Sequence, residues 1–152
     1  MTATPVPRIA IALTLLSLVS GCASNAVDRT TFESATNANS PLVIFESSAE
    51  SGDGEAFGPG VITRDGDCIY LDTDDVGPLL LAWPSAATTW SAELNSIGFQ
   101  PPATDFVAVA VGDTVVVGGT GEDGFNNEGN VPESCPDASW VSVSSITVGS
   151  SP

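Results

Sequence analysis

Cys22, Cys68 and Cys135 are the only thiols in this chain of 152 residues, and they stand among 19 Asp and Glu, three Arg and no His. The missing imidazole removes the usual general base and the commonest transition-metal ligand together, which excludes Ser-His-Asp and Cys-His catalysis and His-type zinc sites. The basic residues are Arg8, Arg29 and Arg64, with no Lys, against a formal charge of -16. Binding a phosphate polymer requires Lys or Arg to displace counterions, so nucleic acid is excluded as a partner. No CxxC spacing is present, which argues against a metal-binding or redox pair of thiols. What remains for chemistry is the carboxylates.

Asp65, Asp67, Asp72, Asp74 and Asp75 crowd one stretch, and loop carboxylates are the ligands that hard cations such as Ca²⁺ take. The D-x-[DN]-x-[DN]-G run with a Glu at its twelfth position is missing, so the stretch reads as a solvated acidic rim, and no metal or cofactor is expected. Glu46 to Glu55 (ESSAESGDGE) reads as a Ser- and Gly-rich acidic loop. Gly118 to Gly124 lacks the Lys-Ser/Thr pair of a phosphate loop and carries Glu122 and Asp123 where an anion would sit; it too reads as a loop. Paired carboxylates, as in glycoside hydrolysis, are the one enzymatic route left open. A domain this small has little room for a deep cleft, so no catalytic residue is assigned and no enzyme is expected.

The N-terminus carries Arg8, an apolar run from Ile9 to Val19, and Ser20-Gly21. That is the anatomy of a secretory signal, and the run falls short of the roughly 20 residues a membrane-spanning helix needs. Directly after it, Leu18-Val19-Ser20-Gly21-Cys22 resembles the lipobox of bacterial lipoproteins. The resemblance implies that Cys22 is thioether-linked to diacylglycerol and becomes the first residue after cleavage. Two acyl chains anchor stably where one would bind reversibly. The expected organisation is therefore a lipoprotein signal peptide over residues 1–21, a flexible tether rich in Ala, Ser, Thr and Asn over 22–40, and a β-barrel domain over 41–152. The expected location is the extracytoplasmic face of the cell membrane.

With Cys22 acylated, Cys68 and Cys135 form an even pair in a chain that leaves the reducing cytosol, so a disulfide is expected. It would close a loop of roughly 68 residues, for which chain entropy gives about 4 kcal/mol. Period-two patterning predicts strands over Pro41 to Glu46, Phe57 to Arg64, Cys68 to Asp72, Leu79 to Trp83, Phe106 to Val111, Thr114 to Gly118 and Trp140 to Val148. Asp65-Gly66 predicts a type I′ hairpin, and Gly112-Asp113 a type II′ hairpin joining its two neighbours. In the last run the apolar phase changes between Val141/Val143 and Ile146/Val148, which predicts a bulge at Ser144-Ser145. Short strands with strong turns and a bulge suit an all-β fold: a small antiparallel barrel, OB-like or similar, closed or half-open, with one disulfide. One short helical turn is expected near Trp90 to Leu94.

Trp83, Trp90 and Trp140 with Tyr70 and the phenylalanines are the bulky apolar groups, and most are expected to fill the barrel. Trp90 lies in the least strand-like region and is the candidate for stacking on a sugar ring. The set Gly66-Asp67-Cys68-Ile69-Tyr70-Leu71, Leu81-Ala82-Trp83-Pro84, Thr89-Trp90, Val111-Gly112-Asp113-Thr114-Val115 and Gly118-Gly119 resembles small, mostly uncharacterised lipoproteins of high-GC Gram-positive bacteria. That resemblance implies a compact β domain and no particular activity. The expected function is a surface-anchored, non-catalytic interaction or structural module of the cell envelope, its partners the membrane, through the diacylglyceryl anchor, and an envelope protein or polysaccharide. A carbohydrate- or wall-polymer-binding module and a carboxylate-based glycosidase are the alternatives.

Overall fold

A computed structural model describes residues 29–34, 39–46, 54–121, 132, 134–135 and 139–149. The stretch expected to be a signal peptide, Cys22, Glu122 and Asp123 lie outside the described residues. Ten strands are described: β1 (Glu33–Ser34), β2 (Val43–Phe45), β3 (Glu55–Asp65), β4 (Cys68–Thr73), β5 (Gly77–Pro84), β6 (Thr88–Ser91), β7 (Ser96–Phe99), β8 (Val107–Ala110), β9 (Thr114–Thr120) and β10 (Ser139–Val148). Each of the seven runs expected from the alternation of side chains overlaps one of them.

The strands make an all-β architecture of two sheets. In the larger, β3, β4 and β5 form an antiparallel meander, β9 pairs with the other side of β3, and β10 pairs antiparallel with β9. β10 also pairs in parallel with β5, from Ser139↔Leu79 to Ser142↔Ala82, and this join closes β3, β4, β5, β10 and β9 into an OB-like ring. β2 adds a parallel partner to the C-terminal end of β5, with Val43 opposite Ala82. The smaller sheet has the order β1-β6-β7-β8.

Strand alternation sends Ile62, Val115, Val117, Val141 and Val143 into the ring while Val61 and Val116 face solvent. The phase change in β10 is accommodated as expected: its register against β9 shifts between Val143 and Ser145, which returns Ile146 to the core. The small sheet packs on the same core through Trp90, Ile97, Phe99 and Val109. Trp83 meets Phe99 edge to face, with ring centroids 5.6 Å apart.

β4 and β5 are buried on both faces, which is why they read as continuous rather than alternating apolar runs. Their inner residues Ile69, Leu71, Leu79 and Leu81 join the main core. Their outer residues Cys68, Tyr70, Leu80 and Ala82 form a second cluster with Val43 and Cys135, flanked by Phe45 and Trp140. The Cys68–Cys135 disulfide ties this outer layer down, with Cα atoms 5.7 Å apart.

Three local expectations are corrected. In the β3–β4 hairpin Asp65 pairs with Cys68, so the turn residues are Gly66-Asp67, and only Gly66 has positive φ (57°). That is the pattern of type II′ rather than type I′. Gly112 (φ 104°) does sit in a turn, closed by Asp113 N–H donating to Ala110 O, but β8 belongs to the small sheet and β9 to the ring. The turn is a crossing between sheets, not a hairpin, because the backbone of Gly112 and Asp113 bonds to Ile62 of β3. The helical turn near Trp90 is instead the β6–β7 hairpin, pairing Trp90 with Ile97 and Ser91 with Ser96.

Residues 29–34, within the stretch read as tether, are built onto the small sheet. Arg29–Thr31 form a 3-10 turn, Phe32 packs edge to face on Phe106 at 5.4 Å, and Glu33–Ser34 pair with Trp90 and Thr89 of β6. The Arg29 guanidinium donates to Gln100 Oε1 at 2.6 Å.

Candidate functional site

A groove of about 390 Å³ opens between three segments of the ring: Glu55 to Pro59 at the start of β3, Thr73 to Leu79 around the β4–β5 turn, and Ser139 at the start of β10. Its apolar lining comes from Ala56, Phe57, Pro59, Val76 and Leu79, and Val76 is the most solvent-exposed large hydrophobic residue among the described residues, at 68%. Glu55 and Asp75, both exposed, supply its two carboxylates. The β4–β5 turn is held in shape by Thr73, whose hydroxyl donates to Gly77 O at 3.1 Å and accepts from Val76 N–H at 3.3 Å. A hydroxyl bonding into its own turn fixes the backbone that presents Asp75 and Val76. On the opposite wall, the register of β3 against β9 shifts between Phe57 and Gly60.

The acidic stretch does not come together. Asp65 and Asp67 lie at the β3–β4 turn, whereas Asp72, Asp74 and Asp75 lie at the other end of β4. At about 3.4 Å per residue the intervening strand holds the two groups on the order of 20 Å apart. Among the described residues no group of three or more His, Cys, Asp or Glu is placed to hold a metal ion.

The stacking role expected of Trp90 is corrected. Its side chain is 5% exposed, because β1, β6 and β7 fold it into the core, and Arg64 covers the ring with its guanidinium carbon 5.6 Å from the centroid. Arg64 is itself fixed there by donating to Gly66 O (2.9 Å) and Asn95 Oδ1 (3.4 Å). Trp90 therefore does not present its face to solvent for stacking on a sugar. Trp83 is fully buried and Trp140 half-buried.

OB-type barrels bind oligomers on the face of their second and third strands. The corresponding strands here are β4 and β5, and their outer face is covered by the chain's own Val43, Phe45, Cys135 and Trp140. Tyr70 lies in that covered layer at 5% exposure, its hydroxyl without a hydrogen-bond partner among the described residues. Burial, and secondarily the nearby Asp65 carboxylate, push its phenol above the ordinary tyrosine range.

The groove was not legible from sequence, because its walls come from three segments far apart in the chain and from turn residues that carry no motif. The exposed, apolar Val76 beside Asp75 was the one local signal. No family model matches the chain, and neither a curated protein nor a solved structure matches it.

Proposed function

We propose that the chain is an exported, lipid-anchored protein of the bacterial cell envelope whose β-barrel domain serves as a non-catalytic interaction module. The observation that carries this reading is the run of apolar residues from Ile9 to Val19 ending in Leu18-Val19-Ser20-Gly21-Cys22, with Cys22 as the acylated residue. The Cys68–Cys135 disulfide supports it, since such bonds persist in compartments outside the reducing cytosol. A non-catalytic role is supported by the site chemistry. Histidine is absent from the chain, and the two groove carboxylates are both exposed, whereas glycoside hydrolysis needs one carboxyl kept protonated against an apolar wall. The test is fractionation of cells producing Cys22→Ala. The reading predicts an unprocessed precursor or release into the medium, and unchanged acylation and membrane retention would overturn it.

A further inference from the structure

We infer that the groove between β3 and the β4–β5 turn receives a short segment of a partner protein that carries a Lys or Arg flanked by apolar side chains. This deepens the reading of the domain as an interaction module and rests on it, but not on the lipid anchor. The lining is apolar in part: Leu79 is buried and Phe57 half-buried along it, and Val76 stands 68% exposed. An aliphatic side-chain stem lying there would remove Val76 and Phe57 from water. The volume, about 390 Å³, is at the small end of ligand pockets, roughly 300–1,000 Å³, which suits a few side chains of an extended segment.

Charge decides the sign of the occupant. Glu55 and Asp75 are the charged residues of the lining, and no cation among the described residues answers them. Arg29 is engaged with Gln100, and Arg64 with Gly66, Asn95 and the Trp90 ring. Within a chain of net charge -16 an anionic group would meet only repulsion at this rim, whereas an ammonium or guanidinium gains from both carboxylates. The site is also preorganised: the Thr73 hydroxyl locks the turn bearing Asp75 and Val76, so little ordering remains to oppose binding.

The test titrates the ¹⁵N-labelled full-length chain, disulfide intact and in detergent micelles, with acetyl-Leu-Lys-Leu-amide, its norleucine analogue and spermine. The inference predicts amide shifts confined to residues 55–58, 73–77, 79 and 139 with the lysine peptide, and much weaker shifts with the other two probes. Glu55→Gln/Asp75→Asn should weaken the peptide about tenfold and Val76→Ser about threefold. Asp67→Asn, an exposed acid at the far end of β4, should leave binding unchanged. Absence of shifts at these residues, equal binding of the norleucine peptide, tighter binding of spermine than of the peptide, or equal losses from Asp67→Asn would each overturn it. The interaction-module reading fails separately, if the wild-type chain retains no envelope protein in a pull-down. Partners retained equally by wild type and Val76→Ser would leave that reading standing and overturn the groove.

Discussion

Breaking the Cys68–Cys135 bond should both destabilise the domain and uncover a specific residue. The two cysteines are 67 positions apart, so the cross-link removes about 4 kcal/mol of loop-closure entropy from the unfolded chain. For a domain of this size each kcal/mol moves the melting temperature by roughly 4 °C or more, which places the expected fall at about 15 °C. The readout that separates this from general loosening is Tyr70, the sole tyrosine of the chain. Its phenol titrates above the usual range because it is buried beneath the layer that Cys135 pins over β4 and β5. Melting followed by circular dichroism, with ultraviolet titration of the phenol, should be run on the oxidised protein, the reduced protein and Cys68→Ala/Cys135→Ala. The prediction is a large fall in melting temperature, with the Tyr70 titration returning toward that of a free phenol. A fall of less than about 4 °C with an unchanged titration would refute the view that this bond holds the outer layer in place.

The same tyrosine sets a pH dependence. Its folded pKa lies above the unfolded value of 10.0, so its contribution is fully present below pH 10 and is lost as pH rises through the folded value, which alkaline denaturation curves of wild type and Tyr70→Phe would reveal. Asp65→Asn should lower the Tyr70 pKa by less than loss of the disulfide does, since burial is the larger cause. Trp83→Ala should cost about 3–5 kcal/mol in urea unfolding, because Trp83 is fully buried and carries the contact between ring and small sheet. Asp113 Oδ2 accepts from the Ala110 N–H at 2.8 Å, so Asp113→Ala should cost about 1–2 kcal/mol and Asp113→Asn less, by the same measurement.

Much of the ring is written in local pattern. Val141 and Val143 share one phase, Ile146 resumes the other, and a strand that must keep all three inside has to insert a residue; the shift between Val143 and Ser145 does this. Gly66 marks a turn because few other residues tolerate its φ. The Cys68–Cys135 bond follows from there being two cysteines left to pair once Cys22 is set aside. Pattern fails where burial on both sides erases alternation. Thr88–Ser91 and Ser96–Phe99 are four-residue strands, nearly all buried, so period two does not stand out, and Trp90 reads as part of a short helical turn when it is a strand residue of the core. It also fails for partner choice. Gly112-Asp113 specifies a turn, but the decision to send β9 across to β3 rather than back along β8 is made by long-range pairing to Ile62. The groove belongs to the second kind, since Phe57, Val76 and Ser139 meet only once the ring has closed.

The anchor is the claim on which the proposed location and role depend, and it has a direct measurement. Intact-mass and N-terminal peptide analysis of the protein extracted from membranes of its native cell should find Cys22 as the first residue, its sulfur carrying a diacylglyceryl group. An unmodified amino end at any other position would contradict it.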